Sequence, residues 1–117
     1  MTLAKSGGAI YRQITDYFYY EIASGRITKG DKIDSIRSLA LTFKVNPNTV
    51  QKALQELERE GLIVTDSTNG KYITKDEERI EVLRHDLLTN LSQDMVEKAK
   101  GLNITLSDVL EVIQTKW

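Results

Sequence analysis

The residue types best suited to chemistry in this 117-residue chain cluster in one stretch, as Asn48, Gln51, Lys52, Gln55 and Arg59. At about 100° per residue they share one side of a helix, opposite the apolar stripe of Val50, Ala53, Leu54 and Leu57. Their chemistry is non-covalent. Asn and Gln amides pair naturally with adenine, and a Lys ammonium with guanine or phosphate. None of the five is a carboxylate, so the face suits the major groove of DNA. An ordinary helical hairpin with a solvated polar face would carry the same residues, and this stretch alone does not separate the two.

Bond-making chemistry is poorly supplied. His85 is the only histidine and cysteine is absent, which excludes disulfides and thiolate metal sites. His85 lies on a helix, away from the Leu83/Leu87/Leu91 stripe, and is expected in solvent. One imidazole among scattered carboxylates makes no zinc-like ligand set. Gly7-Gly8 lacks the flanking strand and lysine of a phosphate loop, and no Ser or Thr has a base partner at a recognisable spacing. The expectation is a protein that is not an enzyme, with no cofactor and no metal.

The elements that must hold the polar face can be read from caps and periodicity. Ser35 suits a helix N-cap, and Ile36, Leu39, Ala40 and Phe43 repeat behind it at helical spacing. The chain then breaks at Lys44-Val45-Asn46-Pro47. Asn46 suits the cap of the next helix and Pro47 its first position, where a missing N–H costs nothing. Gly61 is placed to end that helix. Leu62-Ile63-Val64-Thr65 and Lys71-Tyr72-Ile73-Thr74 follow as β-prone runs, with Asn69-Gly70 signalling the turn between them. Helix, turn, helix, β-hairpin is the winged helix-turn-helix order.

Around that centre, residues 1–8 show no periodicity and read as a loose arm. A first helix is expected from about Ala9, burying Ile10, Tyr11, Ile14, Tyr17, Phe18 and Ile22 and ending at Ser24-Gly25. Tyr19 and Tyr20 lie off that stripe; exposure is the default for both, with the C-terminal segment or a partner subunit as the other cover. Arg26 to Asp34 reads as a polar connector. Thr74-Lys-Asp-Glu77 has capping-box form and opens a long helix with Ile80, Leu83, Leu87, Leu91 and Met95 on its stripe, stopped by Gly101. Thr105 starts a last helix carrying Leu106, Val109, Leu110 and Ile113.

The fold class is therefore mainly α with a small β-hairpin: a winged helix-turn-helix domain over residues 9–74 and a helical dimerisation tail over 75–117. The tail is too small for a core of its own, and its stripe most simply meets its own copy in a second subunit. No apolar run approaches a membrane span and no signal peptide is apparent, so a cytoplasmic protein with no membrane partner is expected. Net charge is −1, which argues against a generic polyanion binder. The charge is unevenly spread: residues 1–74 carry ten Lys/Arg and eight Asp/Glu, whereas residues 75–117 carry six and nine. The positive half holds the expected reading head.

From Ile10 to Ile73 the chain resembles the DNA-binding domain of the GntR family of bacterial transcription regulators. Ile10-Tyr11-Arg-Gln-Ile14 is similar to the family's opening I-Y-x-Q-I. Ile22-Ala-Ser-Gly25 and Gly30-Asp31-Lys-Ile33 follow its I-x-x-G and P-G-x-x-L segments, and Ser35-Ile-Arg37-Ser-Leu39-Ala40 its S-x-R-x-L-A. Val45-Asn46-Pro-Asn-Thr49-Val50-Gln-Lys-Ala53-Leu54 follows V-N-x-x-T-V-x-x-A-L, completed by Leu57 and Glu60-Gly61-Leu62-Ile63. The short two-helix tail resembles the YtrA-like branch, which lacks a large ligand domain. Lys29 and Asp34 stand where the family usually has proline, and the wing's G-x-G reads Thr68-Asn69-Gly70.

By that resemblance, Arg37 would hold phosphate or reach a groove edge, and Thr49 would meet phosphate near the start of the recognition helix. The helix angle separately exposes Asn48, Gln51, Lys52 and Gln55. Ser35 at its helix N-terminus would offer a hydroxyl and backbone N–H groups to phosphate. Asn69, Gly70 and Lys71 complete the expected DNA-binding set at the wing, and Leu83, Leu87, Leu91 and Met95 are the expected dimerisation residues. The implied protein is a dimeric regulator that binds a double-stranded DNA operator, most simply a repressor of transporter genes, with any small-molecule effector unspecified. Two other functions fit the same features. One is a winged-helix module for protein–protein contact; the other is a carrier whose tail helices enclose a small hydrophobic ligand.

Overall fold

Local capping signals set most of the element boundaries in the computed structural model, which describes residues 9–66 and 70–117. The order is α1 (Ile10–Ser24), α2 (Ile36–Phe43), α3 (Pro47–Arg59), β1 (Ile63–Asp66), β2 (Gly70–Ile73), α4 (Glu77–Gly101) and α5 (Leu106–Lys116). This is the expected winged helix-turn-helix, mostly helical with one antiparallel hairpin. Ser35 caps α2 by accepting the Ser38 N–H at 3.1 Å, and Asn46 caps α3 by accepting the Asn48 N–H at 2.8 Å. Pro47 opens α3. Between them Lys44 takes a left-handed φ of 59°, so that the Val45 N–H reaches back to the Ala40 carbonyl at 3.0 Å. That closure makes the turn tight.

The head core forms where α1, α2, α3 and the hairpin meet. Ile14, Phe18 and Ile22 come from α1, Leu39, Ala40 and Phe43 from α2, and Val50, Ala53, Leu54 and Leu57 from α3, all buried. Tyr17 packs edge-on against both Phe18 and Phe43, with ring centroids 5.3 and 5.2 Å away. Edge-to-face contact of this kind directs a ring's positive rim at a neighbour's π face. The α1 stripe begins later than expected. Ile10 is exposed and Tyr11 only half-buried, because the first turn of α1 runs beyond the core.

The hairpin pairs Ile63 with Ile73, Val64 with Tyr72, Thr65 with Lys71 and Asp66 with Gly70. Arg26 to Asp34 does more than connect. Its backbone adds a rung beside β2: the Ile33 N–H donates to the Lys71 carbonyl at 2.9 Å, and the Ile73 N–H to the Asp31 carbonyl at 2.8 Å. Ile33 is thereby carried into the core. Lys29, in the usual proline position, forms an ion pair with Glu77 at the start of α4.

Two expected boundaries need correction. The cap of α4 is Asp76, whose Oδ1 accepts the Glu78 and Arg79 N–H groups, while Thr74 Oγ1 accepts the Asp76 N–H. The cap therefore lies nearer the helix than the Thr74-to-Glu77 box implied. Gly101 does not stop α4 either. The helix includes it, and Asn103 takes the left-handed closing conformation (φ 58°), with the Ile104 N–H donating to the Ala99 carbonyl at 2.9 Å. Asparagine accepts that conformation because its short polar side chain tolerates it.

The chain divides into two compact units, residues 1–84 and 85–117, the division falling inside α4. In the first unit, Leu83 is buried, and Arg79 Nε donates to the Glu60 carbonyl at the end of α3 at 2.7 Å. Tyr19 donates to the Glu60 carboxylate, and burial followed by this bond pushes its phenol pKa upward. It is thus half-buried on the head, whereas Tyr20 is exposed as expected. The second unit holds the rest of α4 and α5, the latter capped by Thr105 as its sequence predicts. No helix among the described residues is long and apolar enough to cross a membrane.

Candidate nucleic-acid interface

The interface is built on α3. Its apolar stripe is fully buried, and that burial fixes the helix's rotation about its own axis. Asn48, Gln51, Lys52, Gln55 and Arg59 are consequently all exposed, as the helix angle predicts. Thr49 is half-buried beside them. Asn48 and Gln51 have no side-chain partner among the described residues, so both amides remain open for base edges.

The cations on this side of the head differ in how they are held. Arg59 is paired with Glu56 at 2.6 Å. Lys71 is paired with Glu58 and also donates to Thr65 Oγ1 at 3.0 Å. The Lys71 bond holds the Glu58 carboxyl below its usual range. Glu58 therefore competes with any phosphate for Lys71, which the sequence offered as a DNA-binding residue at the wing. Arg37 is exposed on α2 with no carboxylate partner among the described residues. Lys52 has none either; its Nζ sits 4.1 Å from the centre of the Tyr11 ring.

At the wing, Gly70 has φ of +100°, a conformation strained for any side chain. Among the described residues a Cβ there would meet only Lys32 Cε at 3.5 Å, so the demand for glycine is conformational rather than steric. Asn69 lies outside the described residues. Ser35 spends its acceptor on the Ser38 N–H and keeps its hydroxyl proton free to donate. Three residues escaped sequence reasoning. Tyr11 was counted as core, Lys32 fell within the polar connector, and Arg79 drew no reading. Only their long-range neighbours reveal what they do.

In the tail, Leu87 is half-buried, while Leu91 is 58% exposed and Met95 39%. Leu83 is only 6% exposed, already covered within its own unit. Leu88, Leu102, Leu106, Leu110, Val112 and Trp117 add further exposed apolar surface.

Comparison with known proteins bears on the family and the fold. The sequence pattern of the bacterial regulatory proteins of the gntR family matches residues 10–73. The HTH-type transcriptional regulator YhcF of Bacillus subtilis is 34% identical over 111 residues, which cover 95% of this chain and 92% of that protein. The HTH-type transcriptional repressor YtrA of the same organism is 44% identical over 71 residues, 61% of this chain and 55% of that one. A GntR family transcriptional regulator from Listeria monocytogenes superposes with a TM-score of 0.91 at 35% identity, covering 97% of this chain and 98% of the other.

Proposed function

The chain belongs to the GntR family of DNA-binding transcription regulators, and from that premise we propose that it acts in the cytoplasm as a homodimeric repressor without catalytic activity of its own. The carrying observation is the α3 face: Asn48 and Gln51 exposed and, among the described residues, unpaired, on a helix whose opposite side is locked into the head core. These amides read base edges. Arg37, Thr49, Lys52 and Ser35 hold the phosphate backbone, and Gly70 shapes the wing that follows the groove. Lys71 joins them at the wing, in competition with Glu58.

Dimerisation is supported by the tail's apolar surface, where Leu87, Leu91 and Met95 lack full cover. A two-fold pair would set two α3 helices at half-sites roughly 34–36 Å apart. Repression is supported by the likeness to YtrA, which is named a repressor. The resemblance to the YtrA-like branch points to transporter genes as targets.

Protection mapping on DNA upstream of the protein's own gene tests this function. The expected footprint is two-fold symmetric and fades steeply with salt. Gln51→Ala should relax sequence preference and cost roughly 1–3 kcal/mol on the best site. Unchanged preference and affinity in that variant would remove α3 from the reading role.

A further inference from the structure

Arg59, Lys71 and Lys52 are held in two ways, and the difference points to a role for Tyr11. Glu56 and Glu58 hold Arg59 and Lys71 by neutralising them. Lys52 is held by an aromatic ring instead. A ring attracts an ammonium through its quadrupole but carries no net charge, so the cation keeps its full attraction for an anion. A free lysine side chain also loses much rotamer freedom when it docks; one restrained beforehand loses less.

The placement of the ring follows from the fold. Tyr11 sits on the first turn of α1, which runs past the core and leaves the ring half-exposed beside α3. Tyr11 Oη accepts from Arg12 Nε at 3.3 Å, and the Arg12 guanidinium lies 5.8 Å from the same ring. Arg12 and Lys52 thus gather at one aromatic, and neither forms an ion pair among the described residues.

We propose that Tyr11 is a positioning residue for DNA binding: its ring pre-sets the Lys52 ammonium, with its charge uncompensated, to meet a backbone phosphate beside the base-reading amides. This inference rests on the assignment of α3 as the recognition helix. It gives the first turn of α1 a part in DNA affinity through Lys52, separate from its part in the core.

A double-mutant cycle on the full-length protein, titrated with its operator duplex over a range of salt, tests the proposal. Lys52→Met should weaken binding and lower the salt slope by about one. Tyr11→Leu should weaken binding about 2–5-fold, the range expected of a cation–π contact at an exposed site. In the Lys52→Met background, Tyr11→Leu should cost almost nothing further, because the residue through which it acts is gone. Tyr11→Phe keeps the ring, loses the bond from Arg12 and should bind like wild type. An undiminished loss in the Lys52→Met background would make Tyr11 merely structural and overturn the proposal. If Tyr11→Leu fails to fold, the Lys52 methylene proton shifts of the free wild-type protein decide the matter. Upfield ring-current shifts support the contact, and random-coil values end it. Wild-type protein that binds no duplex would remove the recognition-helix assignment itself, an outcome distinct from either.

Discussion

The head and the tail leave their apolar residues in opposite situations. In the head, α3 places Val50, Ala53, Leu54 and Leu57 at 0–1% exposure, enclosed by α1, α2 and the hairpin. In the tail, α4 beyond Arg84 and α5 leave Leu88, Leu91, Leu106 and Val112 each more than half exposed. Both segments are helical with an apolar stripe, so helix formation does not separate them. The number of covering elements does. Three helices and a hairpin enclose a core, whereas the two tail helices leave most of their apolar residues exposed. Each fully buried aliphatic side chain contributes about 1.5–3 kcal/mol. The head collects this many times over, and the tail collects little without another surface.

The largest expected effect tests that contrast directly. Leu57→Ala should destabilise the head by about 2–5 kcal/mol in urea unfolding, by loss of transfer free energy and creation of a cavity. Leu106→Ala, at a position 72% exposed, should change stability by no more than about 0.5 kcal/mol. Equal costs would show that the tail hides a core of its own.

Next in size is loss of the proposed second subunit. Leu87→Glu with Leu91→Glu should give monomers by light scattering and lower operator affinity about a hundredfold or more, since two linked heads gain through effective concentration. Thermal unfolding of the head should stay unchanged. A wild-type protein monomeric at micromolar concentration that still binds a single site tightly would break the contrast.

A smaller effect is expected where α4 begins, because its start is fastened to the head. Arg79→Met removes the charged donor to the Glu60 carbonyl and should cost about 1.5–3 kcal/mol. Amide hydrogen exchange should then quicken at the start of α4 more than in α5. Uniform exchange throughout α4 would show that Arg79 fastens nothing.

The smallest concerns the wing. Lys71 lowers the Glu58 pKa from its usual 4.5, so the pair's contribution is fully present above that value. It is lost as pH falls through the depressed folded pKa. Both side chains are about a quarter to a third exposed, which limits the pair to about 0.2–1 kcal/mol. Glu58→Gln should remove this acid-dependent step from the wing and leave the tail's pH profile untouched. It also frees Lys71, so binding to DNA should strengthen slightly.

Elements whose ends depend on near neighbours were legible in the sequence. Ser35, Asn46-Pro47, Gly25 and Thr105 act within a turn of themselves, and their caps stand where the residue types place them. The exposed face of α3 was legible for the same reason, since a helical period and an apolar stripe decide which side turns outward. Two boundaries were misread where several residues compete for one local role: Asp76 takes the cap from Thr74, and Asn103 takes the closing turn from Gly101.

The sequence by itself thus determined the elements and the outward face of α3, because caps, periodicity and glycine conformations are settled within one helical turn. Only the tertiary structure decided how individual charges and apolar groups are used. Lys52 meets Tyr11, Lys71 meets Glu58, Ile33 enters the core beside β2, and Leu83 is buried within the head unit. None of these follows from spacing, because each partner arrives from a different element and the choice among partners is made by packing. A lysine is equally at home beside a ring, a carboxylate or water; its neighbours in the folded chain select one.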